Sequence, residues 1–358
     1  MTLIKTMARV TTMARLASLA LAFTATWAQA RATPGSTPAS PPATAPAIAA
    51  AAPAAAGAPI PIASGPAEGQ LPPAVPSPVA TSGATPAGTA LPLPLAGWDI
   101  VQIGPGYYSF RYTGTRNVFL ITPKGVIVTD PIEPAAARIL REQIRKLTDQ
   151  PVKYVVYSHQ HWDHVLGGQV FKDEGATFIS HANCLAHFDD MPNPRLVRPD
   201  VTFKGERYVV RLGGRTLTLR YLGTNHGDCL VVMTPDGTNV PFIVDLASPG
   251  GMPLPMIPDY SLHNWVRTLR ELEGWDFAQY VGGHGPPLAD RSRLGERREY
   301  LEALMAETQK EMEAGTPEAQ IPDIVAERLR VRFAHLRGFN GIVRDNVRRT
   351  MAYYGMGW

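Results

Sequence analysis

From Gly97 onward the chain places short apolar runs between turn signals, and beyond Asp290 it places apolar residues three and four apart. The first pattern predicts strands. Tyr107–Tyr112, residues 117–122 and residues 126–129 read as an antiparallel meander, the last two joined by Pro123-Lys124-Gly125. A helix is predicted over Pro134–Leu147, where Ile139, Leu140, Ile144 and Leu147 recur at helical spacing among Arg, Glu, Gln and Lys. Further strands are predicted at 152–157, 177–180, 208–212, 216–221, 230–233 and Phe242–Val244. Gly213-Gly214 and Asp236-Gly237 supply hairpin turns. Two helices intervene, at 168–173 and 262–272. After Asp290 only helical stripes follow: Leu301, Leu304, Met305 and Met312, then 321–329, then 342–354. Strands followed by helices in both halves predict two mixed sheets packed face to face with helices outside. This is an α/β fold, a four-layer αββα sandwich over 93–290, with a C-terminal helical extension over 291–358.

The first quarter of the chain reads differently. Residues 1–30 carry Lys5, Arg9 and Arg15, then an apolar run over 16–27, then Ala28-Gln29-Ala30, the pattern of a secretory signal peptide with its cleavage site. The run is about a dozen residues against the ~20 needed to cross a bilayer, so no stable membrane insertion is expected after cleavage. Residues 31–92 are nearly all Ala, Pro, Gly, Ser and Thr, too poor in large side chains to offset ordering entropy, and are expected to be a disordered linker. The expected location is periplasmic or secreted. Cys184 and Cys229 can pair there or stay as buried thiols.

Setting this tail aside changes the charge balance. The chain has 34 Lys and Arg against 31 Asp and Glu. Removing Lys5, Arg9, Arg15, Arg31 and the single acid Glu68 leaves 30 of each. A neutral remainder removes the charge-based case for a nucleic-acid surface, although it leaves room for local patches, and the expected partner is a small-molecule substrate.

The chemistry is concentrated in Tyr154-Val155-Val156-Tyr157-Ser158-His159-Gln160-His161-Trp162-Asp163-His164. A buried strand ends, and three imidazoles and a carboxylate follow within six residues. In an extended stretch His159 and His161 project the same way and can grip one cation. A turn before Gly167-Gly168 then swings Asp163 and His164 to the opposite side, where a second cation can be held. Imidazole nitrogen and carboxylate oxygen suit Zn²⁺, and also Fe or Mn. Three more ligand types end or follow strands: His226, Asp245 and His284.

With this His-x-His-x-Asp-His motif the sequence resembles the metallo-β-lactamase superfamily over roughly residues 97–289. The resemblance implies a first metal on His159, His161 and His226, a second on Asp163, His164 and His284, and Asp245 as a bridge between them. Asp163 is in addition assigned to catalysis. Asp130 matches an aspartate that supports the metal loop from behind the ligands. The third motif reads Asn225-His226-Gly227-Asp228 rather than Gly-His-Thr, and Asp245 stands where β-lactamases of the superfamily commonly carry Cys or Ser.

The implied function is a metallo-hydrolase with two Zn²⁺ that cleaves an ester, thioester, lactone or lactam bond with a metal-generated hydroxide. The alternatives are a mononuclear iron sulfur-oxygenase of the same fold and a non-catalytic exported metal-binding accessory protein. His181, His187, His263 and His335 are assigned structural or surface roles, and Cys229 a core position. Trp162 and Tyr107-Tyr108 are candidate cleft aromatics. Residues 250–260, rich in Pro and Met, are a surface loop and candidate substrate wall.

Overall fold

The computed structural model of the protein describes residues 60–65 and 97–357. The expected signal peptide and most of the expected linker lie outside these residues. Within the linker, however, Ile60–Gly65 forms a strand, β1, paired antiparallel with β2 (Trp98–Gly104). A linker without any structure is corrected on this point. Pro61 is tolerated because β1 is the edge strand of its sheet, where a missing N–H costs no ladder bond.

The antiparallel run continues through β3 (Tyr107–Tyr112), β4 (Thr115–Thr122) and β5 (Gly125–Thr129). Helix α1 (Pro134–Leu147) then crosses over to β6 (Val152–Val156), parallel to β5. Its ends follow from sequence, with proline in the first turn and Arg145 and Lys146 in the last, where they meet the negative end of the helix dipole. Short helices α2 (Trp162–Val165) and α3 (Gln169–Asp173) lead to β7 (Thr177–His181). Helix α4 (Cys184–Asp190) leads to β8 (Val201–Phe203), and β7 and β8 extend the parallel part of the sheet.

The second sheet holds β9 (Arg207–Leu212), β10 (Arg215–Tyr221), β11 (Val231–Pro235) and β12 (Phe242–Val244), then, after α5 (Leu262–Glu273), β13 (Gln279–Gly282) and β14 (Ala289–Asp290). Helices α6 (Ser292–Glu313), α7 (Ile321–Phe333) and α8 (Phe339–Met356) close the chain. Among the described residues, no helix is long and apolar enough to cross a membrane.

The period of two along each strand feeds two cores. In β5, Ile127 faces one and Val126 and Val128 the other; in β4, Val118 and Leu120 face one and Phe119 the other. The larger core joins the inner faces of the two sheets and continues to α5–α8 through Trp265, Leu301, Val325 and Val343. The smaller packs the outer face of the first sheet on α1 through Ile139, Leu140 and Ile144. Strands buried on both faces read as nearly continuous apolar runs, as these do.

One polar cluster interrupts the apolar interior. Arg116 is fully buried and donates from Nη1 to Asp99 Oδ1 (3.0 Å) and Ser109 Oγ (2.9 Å), and from Nε to Gly285 O (3.3 Å). Arg111 pairs with the same carboxylate. Burial lowers the Arg116 pKa, and the Asp99 charge opposes that shift. Because a buried guanidinium left without its carboxylate is costly, Asp99→Ala is expected to destabilise the protein by about 3–5 kcal/mol in chemical denaturation. A loss below about 1 kcal/mol, the range of an exposed pair, would show that the charge is compensated elsewhere.

Candidate metal centre

The centre is built where strands end. After β6, the Ser158 N–H donates to Asp130 Oδ1 (2.7 Å), and the Ser158 carbonyl accepts from the Val231 N–H (2.9 Å). Tied on both sides, the chain bends over Ser158–Gln160 instead of running extended as its spacing suggests, and α2 starts at Trp162. The bend brings the rings of His159 and His161 to 4.5 Å between centroids.

Four of the five histidines are gripped by one ring nitrogen and present the other to the centre. His159 Nδ1 lies 2.8 Å from Ser158 Oγ, His164 Nδ1 3.3 Å from Asp130 Oδ2, and His284 Nδ1 2.8 Å from Gly114 O. His161 is turned the other way, with Nε2 2.7 Å from Asp259 Oδ2 and Nδ1 2.9 Å from His226 Nε2. His226 Nε2 also lies 3.3 Å from His159 Nε2. Outward hydrogen bonds of this kind set the tautomer and aim a lone pair inward.

Asp245 occupies the middle. Its Oδ2 lies 3.7 and 3.5 Å from the Nε2 atoms of His159 and His226, and 3.4 Å from each of those of His164 and His284. Asp163 Oδ2 lies 3.5 and 3.4 Å from the same atoms of His164 and His284. Two sets of ligand atoms result, each within 4.8 Å: His159, His161, His226 and Asp245, and Asp163, His164 and His284. Asp130 stands behind them, fully buried, bonding His164 and the Ser158 backbone.

The local backbone is bent to this purpose. Val244 and Asp130 adopt φ of 53° and 36°, conformations unfavourable for side chains with a Cβ and typical of functional sites held by their surroundings. Gly283 is required by space, because a Cβ there would sit 2.1 Å from Asp245 Oδ1.

The electrostatics fit a cation. Burial pushes the His159 pKa well below its usual value, helped by His161, His164 and His226, and burial lowers His226 to about 4, so both rings stay neutral and keep lone pairs to donate. Burial acts the same way on His164, but the charges of Asp163 and Asp245 and the hydrogen bond that the ring donates to Asp130 outweigh it and raise its pKa well above the usual value. His284 is likewise raised against burial, chiefly by Asp245. In turn His284 and His164 outweigh burial at Asp245 and hold its carboxyl well below the usual range. The carboxylates therefore draw positive charge to the second set of ligands. Buried His164 Nε2 and Asp245 Oδ1 have no hydrogen-bond partner, a cost that metal coordination removes. The nitrogen and oxygen donors suit Zn²⁺, Fe or Mn.

Comparison with known proteins gives the family and the fold. The family model described as the metallo-beta-lactamase superfamily matches residues 111–290. The chain belongs to this superfamily. Among solved structures, the metallo-beta-lactamase from Pontibacter korlensis superposes with a TM-score of 0.50 at 20% identity, covering 57% of this chain and 99% of that one. The stereoselective inverting sec-alkylsulfatase from Pseudomonas sp. superposes at 0.59 with 16% identity, covering 71% and 50%. At these identities the likeness shows the shared fold. A curated relative, the 2,4-dinitroanisole O-demethylase subunit alpha of Nocardioides sp. (strain JS1661), is 26% identical over 171 residues, 47% of this chain. The chain spans about half of that relative's length, 52%.

For a superfamily member, the residues outside the ligand sets are as informative as those inside. His181 stacks on Tyr221, His187 pairs with Asp228, His263 with Tyr353 and His335 with Glu296. Tyr107 is buried and so cannot line a cleft, which corrects that expectation, and Tyr108 stacks on Phe119. Trp162 is exposed beside the centre. Cys184 and Cys229 form a disulfide. Asp259, which holds His161, was not apparent from sequence: it follows no strand, and its one signal is an acid set in the Pro- and Met-rich run. That run is only partly a surface loop, since Met252, Ile257 and Tyr260 are buried.

Gly283→Ala is expected to displace Asp245 and lower bound metal, measured by elemental analysis after zinc loading, as far as Asp245→Ala does, with the circular dichroism of the fold retained. Two metals per chain in Gly283→Ala would show that the Asp245 carboxylate need not lie against Gly283.

Proposed function

We propose that the protein is an exported dinuclear zinc hydrolase that cleaves an ester, thioester, lactone or lactam bond of a small molecule. The observation that carries this reading is Asp245 Oδ2, placed 3.4–3.7 Å from imidazole nitrogens of both ligand sets. A carboxylate so placed supports two cations sharing one ligand. When bound, they would supply a water of lowered pKa, from ~15.7 toward ~7, and polarise the scissile carbonyl.

The chain's own groups complete the site. Asp163 has a half-exposed carboxylate at the open side, oriented by Thr115 Oγ1 at 3.5 Å. In this reading it binds the second cation and holds the proton released when water attacks. His161 and His284 are partly exposed, and His159, His164 and His226 are sealed. Substrate therefore enters over Asp163, His161 and His284, and no serine or cysteine nucleophile is needed.

A second reading is supported by the name of the curated relative, an O-demethylase, and would have the same ligands serve ether cleavage or iron-dependent oxygen chemistry. A hydrolysis panel on metal-quantified protein separates the two, using nitrocefin, S-lactoylglutathione, acyl-lactones and 2,4-dinitroanisole. Two zinc ions per chain with turnover of an ester, thioester, lactone or lactam is the expected result, lost by several orders of magnitude in His159→Ala with His161→Ala. One iron per chain with dioxygen-dependent turnover would sink the hydrolase reading.

Export is supported by the disulfide, which belongs to oxidising compartments and closes a separation of 45 residues between α4 and the segment carrying His226. Protein recovered from the periplasm should show no free thiol, and Cys184→Ser should cost about 4 kcal/mol on the chain-entropy argument. Two titratable thiols in the recovered protein would contradict the proposal.

A further inference from the structure

The outer face of the second sheet carries polar side chains that neither the metal centre nor the core uses. Leu217 and Leu219 of β10 point into the core between the sheets, so Thr216, Thr218 and Arg220 point the other way. These three line a cavity of about 470 Å³ together with Arg207 of β9, Thr234 of β11, Asn239 and residues 275–277 after α5. No member of either ligand set lines it. An antiparallel sheet commonly leaves one face to water. Here that face is instead hollowed to a volume within the roughly 300–1,000 Å³ that small organic ligands occupy.

Charge indicates the kind of ligand. Arg220 and Arg207 are direct cross-strand partners in the β9–β10 ladder. Like charges placed opposite each other destabilise a sheet unless something offsets them. Among the described residues neither arginine forms a salt bridge. Asp236 lines the same cavity but is already engaged, its Oδ1 accepting from Arg215 Nε (2.7 Å) and its Oδ2 from the Thr216 N–H (2.9 Å). Asp276 is the other acid of the lining, so positive charge remains in excess. Arg220 is also held in place, its guanidinium carbon 5.0 Å from the centroid of the Trp275 ring. A planar fork fixed in this way is set to bond two oxygens of one anion. Thr216 and Thr218 share the face of Arg220 along β10, and Thr234 stands opposite Thr218 on β11, so hydroxyl donors flank the guanidiniums.

We propose that this hollow is a second binding site, for a small hydroxylated molecule that bears an oxyanion, a phosphate ester or a carboxylate. Arg207 and Arg220 hold the oxyanion, and the threonine hydroxyls and Asn239 meet the hydroxyl groups. Size favours an organic ligand over a bare ion: a water molecule takes up about 30 Å³ of liquid, so an ion of a few such volumes leaves most of the cavity unfilled. The bound anion also offsets the opposition of the two arginines, so binding stabilises the folded chain. The site lies apart from both ligand sets and does not rest on the hydrolase reading.

Titration calorimetry of the zinc-loaded full chain with glucose 6-phosphate, gluconate, inorganic phosphate and glucose tests it. Glucose 6-phosphate or gluconate is expected to bind with a Kd below about 1 mM, about five-fold or more tighter than phosphate or glucose. The affinity should fall as salt is raised from about 50 to about 200 mM. The tighter of the two ligands tells a phosphate site from a carboxylate site. Oxyanions also bind zinc, but that binding survives changes in the hollow, so the arginine variants separate the two places. Arg207→Gln with Arg220→Gln should weaken the binding by about ten-fold or more with zinc content unchanged, and Thr218→Val, which keeps the shape and removes one hydroxyl, by about three-fold. Arg207→Gln alone removes the opposition, so its unfolding midpoint should be unchanged or slightly raised. Absence of saturable binding, or binding that survives the double arginine substitution, overturns the site. Equal affinity for inorganic phosphate overturns the organic ligand, and equal affinity for glucose overturns the role of the arginines. A midpoint lowered by several degrees in Arg207→Gln would assign that arginine to the fold and overturn its role as a ligand-binding group.

Discussion

A single carboxylate oxygen, Asp245 Oδ2, faces imidazole nitrogens delivered by both sheets, with His159 and His164 following β6 of the first and His226 and His284 following β10 and β13 of the second. A buried negative charge at the seam of a sandwich is stable only if positive charge meets it there. The rest of the structure serves that requirement. Val244 turns Asp245 inward at the cost of an unfavourable backbone angle, Gly283 leaves the space its carboxylate needs, and Arg116 holds Gly285 next to His284. The outward nitrogens of His159, His161, His164 and His284 are each fixed by a different element, so the centre keeps its shape through the fold as a whole rather than through one loop.

The candidate ligand residues stand out in the sequence as a repeated pattern, an apolar strand followed by histidine or aspartate, and the structure gathers them into two groups able to hold a metal. The strands were legible for a related reason, since segments buried on both faces must be apolar nearly throughout. Legibility ended where a polar residue is buried for a tertiary reason. Strand β4 begins at Thr115 rather than 117, because Arg116 is buried inside it and neutralised by Asp99 from β2. The three-residue β8, the four-residue α2 and the seven-residue α4 are too short for periodicity to show. The bend at Ser158–Gln160 depends on hydrogen bonds to Asp130 and Val231, which local spacing cannot reveal. The pairing of Cys184 with Cys229 is likewise a matter of three-dimensional proximity.

Fold and reaction stand at different distances from these observations. A sulfatase and a β-lactamase share the architecture at 16% and 20% identity, so the sandwich itself selects no substrate. Selection must come from what surrounds the ligands on the open side. There the chain departs from a purely polar site, with Trp162 next to one ligand and the Pro- and Met-rich segment next to the aspartate that holds it.

The C-terminal helices then have a physical reason to be arginine-rich on a buried face. A loop without regular secondary structure that buries Met252, Ile257 and Tyr260 cannot pair its own carbonyl groups in a ladder, so they must be satisfied from outside. Arg297 and Arg349 reach four of those carbonyls, and the Arg337 backbone bonds on either side of Gly251. A guanidinium suits this task better than an ammonium, because its planar fork can bond two carbonyls along a fixed plane. A run of hydrogen bonds thus links the extension to the centre: Arg297 of α6 and Arg349 of α8 bond the carbonyls of the loop, and Asp259 within that loop bonds His161.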